Sequence, residues 1–184
     1  MDVKAFLKQN RWPLIIAALA VVVRIIYLLE LSRSPEAMVP MVDEKWHWLW
    51  ANEIVSESFW GVGTFFRAPL YPYFLAFLSW ITGGSILASK ILQVILCGGT
   101  AWFIYKLADN LFDRRAGIAA GLVYALYGTL VMYETMLLIP VIFLFLTVWG
   151  IYRLVAYQQE SNWRTWLMTG LILGLATIAR PNIL

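Results

Sequence analysis

The sequence predicts an all-α, polytopic membrane bundle of about five transmembrane helices, with interfacial helices in the first outer loop. Three observations carry this. Hydrophobic residues make up 61% of the chain and charged residues 14%, whereas a soluble domain has roughly 45–50% apolar residues. Mean hydropathy is +0.72. The apolar residues also gather into runs, and a run of about 20 is what an α-helix needs to cross the hydrocarbon core.

The first run covers residues 13–31 and follows Lys4, Lys8 and Arg11. No small-residue cleavage site follows and Arg24 interrupts the run, which marks an uncleaved anchor helix rather than a signal peptide. Residues 32–85 then form a large outer loop. Within it, Asp43 to Ile54 reads as a helix lying in the interface. Residues 69–81 give an apolar piece of only 13 residues ending at Gly83-Gly84, a length that suits an interfacial or re-entrant helix. The remaining spans are expected at 86–107, 116–132, 136–157 and 166–179.

Charge placement tests this count. If residues 69–81 do not cross, one side carries Lys4, Lys8, Arg11, Lys106, Arg114, Arg115, Arg153 and Arg164. The other carries Arg33, Lys45, Arg67, Lys90 and Arg180, with Arg24 inside a span. The basic excess marks the cytoplasmic side. The N-terminus is therefore expected in the cytoplasm and the 32–85 loop outside. Letting residues 69–81 cross would move Arg114 and Arg115 outward and reverse the asymmetry.

A net charge of +3 raises the question of nucleic acid. The basic residues are scattered over short loops that topology already explains, and no basic stripe or recognition motif joins them, so nucleic acid is set aside. The one cysteine, Cys97, lies in an apolar run and supports neither a disulfide framework nor a thiolate metal cluster.

Topology gathers the polar outliers on the outer face: Asp43, Glu44, His47 and Arg67 in the large loop, Glu134 in the turn after the third span, and Arg180 at the end of the fifth. Ionisable groups flanked by apolar sequence are functional candidates unless paired. Each has a plainer reading. Asp43 and Glu44 equally suit the acidic N-terminus of a helix, favoured by its dipole. Glu134 can cap the fourth span, and Arg180 can snorkel to the interface. Trp46, Trp48, Trp50 and Trp60 read as interfacial belt residues. His47 reads as structural. Gly117 with Gly121, and Gly170 with Gly174, have the small-xxx-small spacing of closely packed helices.

Taken together, four motifs in order resemble a known family. They are the acidic pair Asp43-Glu44, the stretch Arg67-Ala-Pro-Leu-Tyr-Pro, Tyr133-Glu134 and Gly174-Leu-Ala-Thr-Ile-Ala-Arg-Pro-Asn182. Gly83-Gly84-Ser85 through Lys90-Ile-Leu-Gln93 and Leu111-Phe-Asp-Arg-Arg115 fit the same pattern. The chain resembles the GT-C superfamily of membrane glycosyltransferases, most closely bacterial members related to protein mannosyltransferases and aminoarabinose transferases. The resemblance implies inverting sugar transfer from a polyprenyl-phosphate-linked donor to a glycan, lipid or protein acceptor, at the outer face of a bacterial-type cytoplasmic membrane. It implies Asp43 as general base with Glu44 beside it, and Arg67, Arg180 and more weakly Lys90 on the donor phosphate. Glu134 is left to the acceptor, to orienting Arg180, or, with Glu44, to a divalent metal, which members of the superfamily use variably.

Members of the superfamily usually continue through further spans, so the chain is expected to be an N-terminal fragment or truncated module. A competing class is a non-catalytic membrane protein: a module binding lipid phosphate or a partner, or a transporter or assembly subunit. Transporters hold charged sites near the midplane on broken helices, while the acidic pair here is in an outer loop, which favours the enzyme.

Overall fold

The computed structural model describes residues 9–34, 39–57, 59, 67–159 and 162–180. Lys4, Lys8, Trp60 and the Pro181-Asn182 end of the last motif lie outside the described residues. Among those described there are eight helices and no strand: α1 (Arg11–Leu31), α2 (Asp43–Ser56), α3 (Leu70–Thr82), α4 (Ile86–Leu111), α5 (Arg114–Leu126), α6 (Gly128–Thr135), α7 (Pro140–Ala156) and α8 (Trp163–Ala179). The fold is the helical membrane bundle that the composition predicts.

Local chemistry sets the boundaries. Gly83 and Gly84 have φ of 63° and 80° and turn the chain from α3 into α4, a conformation that side chains with a Cβ resist. Ser85, Asp113 and Asn162 cap α4, α5 and α8 by accepting from the backbone N–H of Ala88, Ala116 and Arg164. Pro140 opens α7, where its missing N–H loses no helical bond.

Helices α1 and α4 are each long and apolar enough to cross a membrane. Helices α7 and α8 are apolar but have 17 residues each. The run expected as one span over 116–132 is broken: α5 and α6 meet at Tyr127 with a bend of 57°. Tyr127 is extended there (φ −70°, ψ 102°), and its carbonyl accepts from the Val131 N–H to start α6. The break strips carbonyls at the end of α5 of helical partners, and such groups need others at membrane depth.

Close packing orients the bundle. A Cβ on Gly98 of α4 would lie 2.8 Å from Val21 Cγ2 of α1, and one on Gly121 of α5 would lie 2.7 Å from Ile16 Cγ2. The Arg114 guanidinium stands over the Trp12 ring, so α1 and α5 begin at the same end. Arg24 near the far end of α1 meets Glu134 at the end of α6, and Gln93, near the start of α4, reaches the same turn. The chain therefore leaves α1 and enters α4 at one end, so α2 and α3 together make no net crossing of the bundle.

Two buried clusters follow. Ile16, Ala20, Ala101 and Tyr124 join α1, α4 and α5. Tyr71, Leu75, Leu137 and Ile172 belong to the second, which joins α2, α3, α7 and α8. The glycines divide as well. Gly117 and Gly121 face Tyr105 and Ile16 at close range, but a Cβ on Gly170 or Gly174 would meet nothing within 4 Å. That second small-xxx-small pair does not pack a helix among the described residues, since α8 turns its other face to α7.

Candidate active site

The site is built on the first turn of α2. Val42 precedes it at φ 48°, ψ −112°, a strained conformation for a β-branched residue. No side chain caps this helix end. The two acids that follow turn instead to separate cations. Asp43 Oδ1 accepts from Arg67 Nη1 at 2.9 Å, with both side chains well exposed. The Arg67 guanidinium also lies over the Trp46 ring, 4.9 Å from its centroid. Its hydrogen bond, then its charge, holds the Asp43 carboxyl below its ordinary value.

Glu44 points the other way. Its Oε1 meets Lys90 Nζ at 2.9 Å and accepts from the Leu137 backbone N–H at 2.7 Å. Lys90 is 1% exposed, and among the described residues its ion-pair partner is Glu44. Glu44 thereby ties α2 to both α4 and the turn before α7.

One turn along α4, Gln93 is fully buried. The Tyr71 hydroxyl donates to its Oε1 at 2.7 Å. Its Nε2 donates to the backbone carbonyls of Glu134 at 3.1 Å and Met136 at 2.6 Å. His47 is buried between the rings of Trp46 and Tyr71, and its Nδ1 has no hydrogen-bond partner among the described residues. Burial, then the charge of Arg67, lowers its pKa to about 4 against a smaller opposing effect of Asp43. Trp48 and Trp50 pack against the core beside it, so these rings serve the protein interior.

Glu134 lies elsewhere than beside Arg180 or at the start of α7. Its Oε2 accepts from Arg24 Nε at 2.7 Å and from Nη2, and its Oε1 accepts from the Tyr124 hydroxyl at 2.8 Å. Arg24 Nη1 also donates to the carbonyls of Ala20 and Ala125, and Nη2 to that of Tyr124. All five N–H groups of a guanidinium thus find acceptors, two of them the carbonyls released at the α5 break. Arg24 and Gln93 were not among the expected site residues. Their signal was available: a charge and a long amide inside apolar runs at membrane depth need partners.

Arg180 is exposed at the end of α8, its guanidinium 5.9 Å from the Phe143 ring centroid, and has no ion-pair partner among the described residues. The structure thus gathers Asp43 with Arg67 and Glu44 with Lys90, turns the Glu134 carboxylate to Arg24 and Tyr124 instead, and leaves Arg180 apart. Asp43 and Glu44 line a cleft of ≈ 270 Å³ with Met41, Val42, Met136 and Leu138. Among the described residues no three His, Cys, Asp or Glu gather as metal ligands. Glu44 and Glu134 each serve a buried cation, so the residues present do not fit a divalent metal, and no step is routed through one.

The family model described as dolichyl-phosphate-mannose-protein mannosyltransferase matches residues 66–184, well over half of the chain. The chain belongs to this family. As a mannosyltransferase-family chain with apolar spanning helices, it is an integral membrane protein of the GT-C glycosyltransferase type. The matched region takes in Arg67, Lys90, Glu134 and Arg180 and begins after the acidic pair. No curated protein and no solved structure matches the chain.

Proposed function

We propose that this mannosyltransferase-family chain serves sugar transfer from a polyprenyl-phosphate-linked donor to an acceptor hydroxyl on a glycan, lipid or protein, with inversion and with Asp43 as general base. The observation that carries the reading is the exposed Asp43 carboxylate, 2.9 Å from the Arg67 guanidinium at the edge of a cleft. An acceptor hydroxyl is a poor nucleophile. As its oxygen bonds to the anomeric carbon, its proton passes to Asp43. The bond from that carbon to the phosphate oxygen breaks, and the lipid phosphate leaves with the electron pair. Arg67 meets the developing charge with two N–H groups, and Arg180 is the second cation for it.

The ion pair has a consequence for this step. Arg67 holds the Asp43 pKa down, so a donor phosphate that draws the guanidinium away makes the carboxylate a stronger base as the donor binds. Glu44 and Lys90 hold the acidic turn against α4. The reading includes five crossings, a cytoplasmic N-terminus and this end of the bundle facing outward from the cytoplasmic membrane of a bacterial-type cell. It is supported by the excess of basic residues expected on the other side.

The test is Asp43→Asn in the intact protein. Sugar transfer should be lost while expression and lipid-phosphate binding remain. Normal transfer by that variant removes Asp43 as the base.

A further inference from the structure

We propose that Gln93 is a positioning residue for the transfer reaction: its amide fixes the turn from Glu134 to Leu138 as the cleft wall that faces Asp43. The proposal rests on the reading of Asp43 above. The turn is held from three sides. Arg24 and Tyr124 hold the Glu134 carboxylate, Glu44 holds the Leu137 N–H, and Gln93 holds the two carbonyls, of Glu134 and Met136. The cleft takes its wall from this turn, through Met136 and Leu138.

The chemistry singles out the amide. A primary amide has two donor hydrogens and a carbonyl, and here both hydrogens go to the turn and the carbonyl takes the Tyr71 hydroxyl. The chain between α6 and α7 is not helical from Met136 to Leu138, so it has few backbone partners of its own. With Gln93 removed, the buried Glu134 carbonyl loses its side-chain donor and the half-buried Met136 carbonyl keeps only the Leu138 N–H. The turn then relaxes toward whatever satisfies them, and the wall opposite Asp43 moves by a distance that matters for a bound acceptor.

Transfer kinetics and cysteine labelling together test this. Cys97 is the one cysteine in the sequence, so Cys97→Ala clears the background and Leu138→Cys reports the wall through its rate of reaction with a membrane-impermeant thiol reagent. Gln93→Met removes all three bonds at similar volume, and Gln93→Glu keeps the acceptor for Tyr71 but loses both donors. Tyr71→Phe breaks a buried hydrogen bond without touching the turn. Each Gln93 variant should raise labelling about tenfold, the scale set by losing one or two net hydrogen bonds, and raise the acceptor KM more than it lowers kcat. Tyr71→Phe should leave both within about twofold. Unchanged labelling in the Gln93 variants, or an equal rise in Tyr71→Phe, overturns the proposal. Should Gln93→Met not fold, Gln93→Glu carries the same readings. Raised labelling with unaltered kinetics also overturns it. Raised labelling in a chain whose parent transfers no sugar overturns the functional reading alone, since labelling needs no turnover.

Discussion

Arg24 donates through both Nε and Nη2 to a single oxygen of Glu134, 110 residues further along the chain, and neither side chain is more than 1% exposed. This pair closes the break between α5 and α6, because the same guanidinium takes up the carbonyls of Tyr124 and Ala125. A broken span is tolerated within a membrane only where something re-satisfies the backbone.

Removing one partner of such a pair leaves a buried charge uncompensated. Arg24→Met should destabilise the chain by about 3–5 kcal/mol, and Arg24→Met with Glu134→Met should recover part of that. A deficit of roughly 1–3 kcal/mol remains in the double variant, because the carbonyls at the break stay unmet. Arg24→Lys restores the charge but brings three donors where five are used. Thermal unfolding in detergent measures all three, and a single variant as stable as the double sinks the account.

The runs of apolar sequence made most helices legible, and the Pro69 and Gly83-Gly84 boundaries placed α3 almost to the residue. The break at Tyr127 was not legible. No proline marks it, and the group that compensates it, Arg24, stands about a hundred residues earlier. The depth of Glu134 in an apolar run marks it as a candidate, but depth does not say which cation it meets. The acidic pair was legible as a pair, yet neighbouring residues on a helix point about 100° apart. That rotation sends Asp43 outward to Arg67 and Glu44 inward to Lys90, and only the fold supplies the two cations.

His47 gives the chain an acid-sensitive joint. Burial holds its pKa at about 4, below the unfolded value of about 6.5. Above both values the ring is neutral in either state and the stability is fully present. As pH falls from about 6.5 toward 4, the unfolded chain takes the proton first, so folding weakens by about 3 kcal/mol, each pKa unit being about 1.4 kcal/mol. His47→Phe should flatten unfolding midpoints between pH 7 and 4.5 relative to the parent. An equal slope in both proteins assigns the acid sensitivity to other groups.

The two glycine pairs should respond differently. A Cβ at Gly121 would stand 2.7 Å from Ile16 Cγ2 and 3.0 Å from Cδ1, so the buried Ile16 side chain or the α1–α5 contact must give way. Gly121→Ala should lower stability by about 1–3 kcal/mol, the usual range for overpacking. Gly174→Ala meets no atom within 4 Å and should be neutral or stabilising by up to about 1 kcal/mol through helix propensity. Unfolding midpoints of the two variants in one detergent compare them directly, and a Gly174→Ala variant as unstable as Gly121→Ala shows that α8 is packed on that face after all.

In the proposed mechanism the Asp43–Arg67 pair sets the acid side of the pH profile. The carboxylate is the working form of a general base, and Arg67 keeps its pKa below the ordinary value. Activity is therefore present above that depressed pKa and is lost as pH falls through it. In Arg67→Gln the hydrogen bond and the charge both go, the pKa returns upward, and the acid limb of kcat/KM, which reports the free enzyme, moves to higher pH. At neutral pH the same variant should lose about 10²–10³-fold in kcat through missing phosphate stabilisation. Unfolding does not account for the moved limb, because an exposed ion pair contributes only about 0–1 kcal/mol. An acid limb that stays in place while kcat falls separates the two roles: Arg67 then acts on the leaving phosphate alone, and another group sets the ionisation of the base.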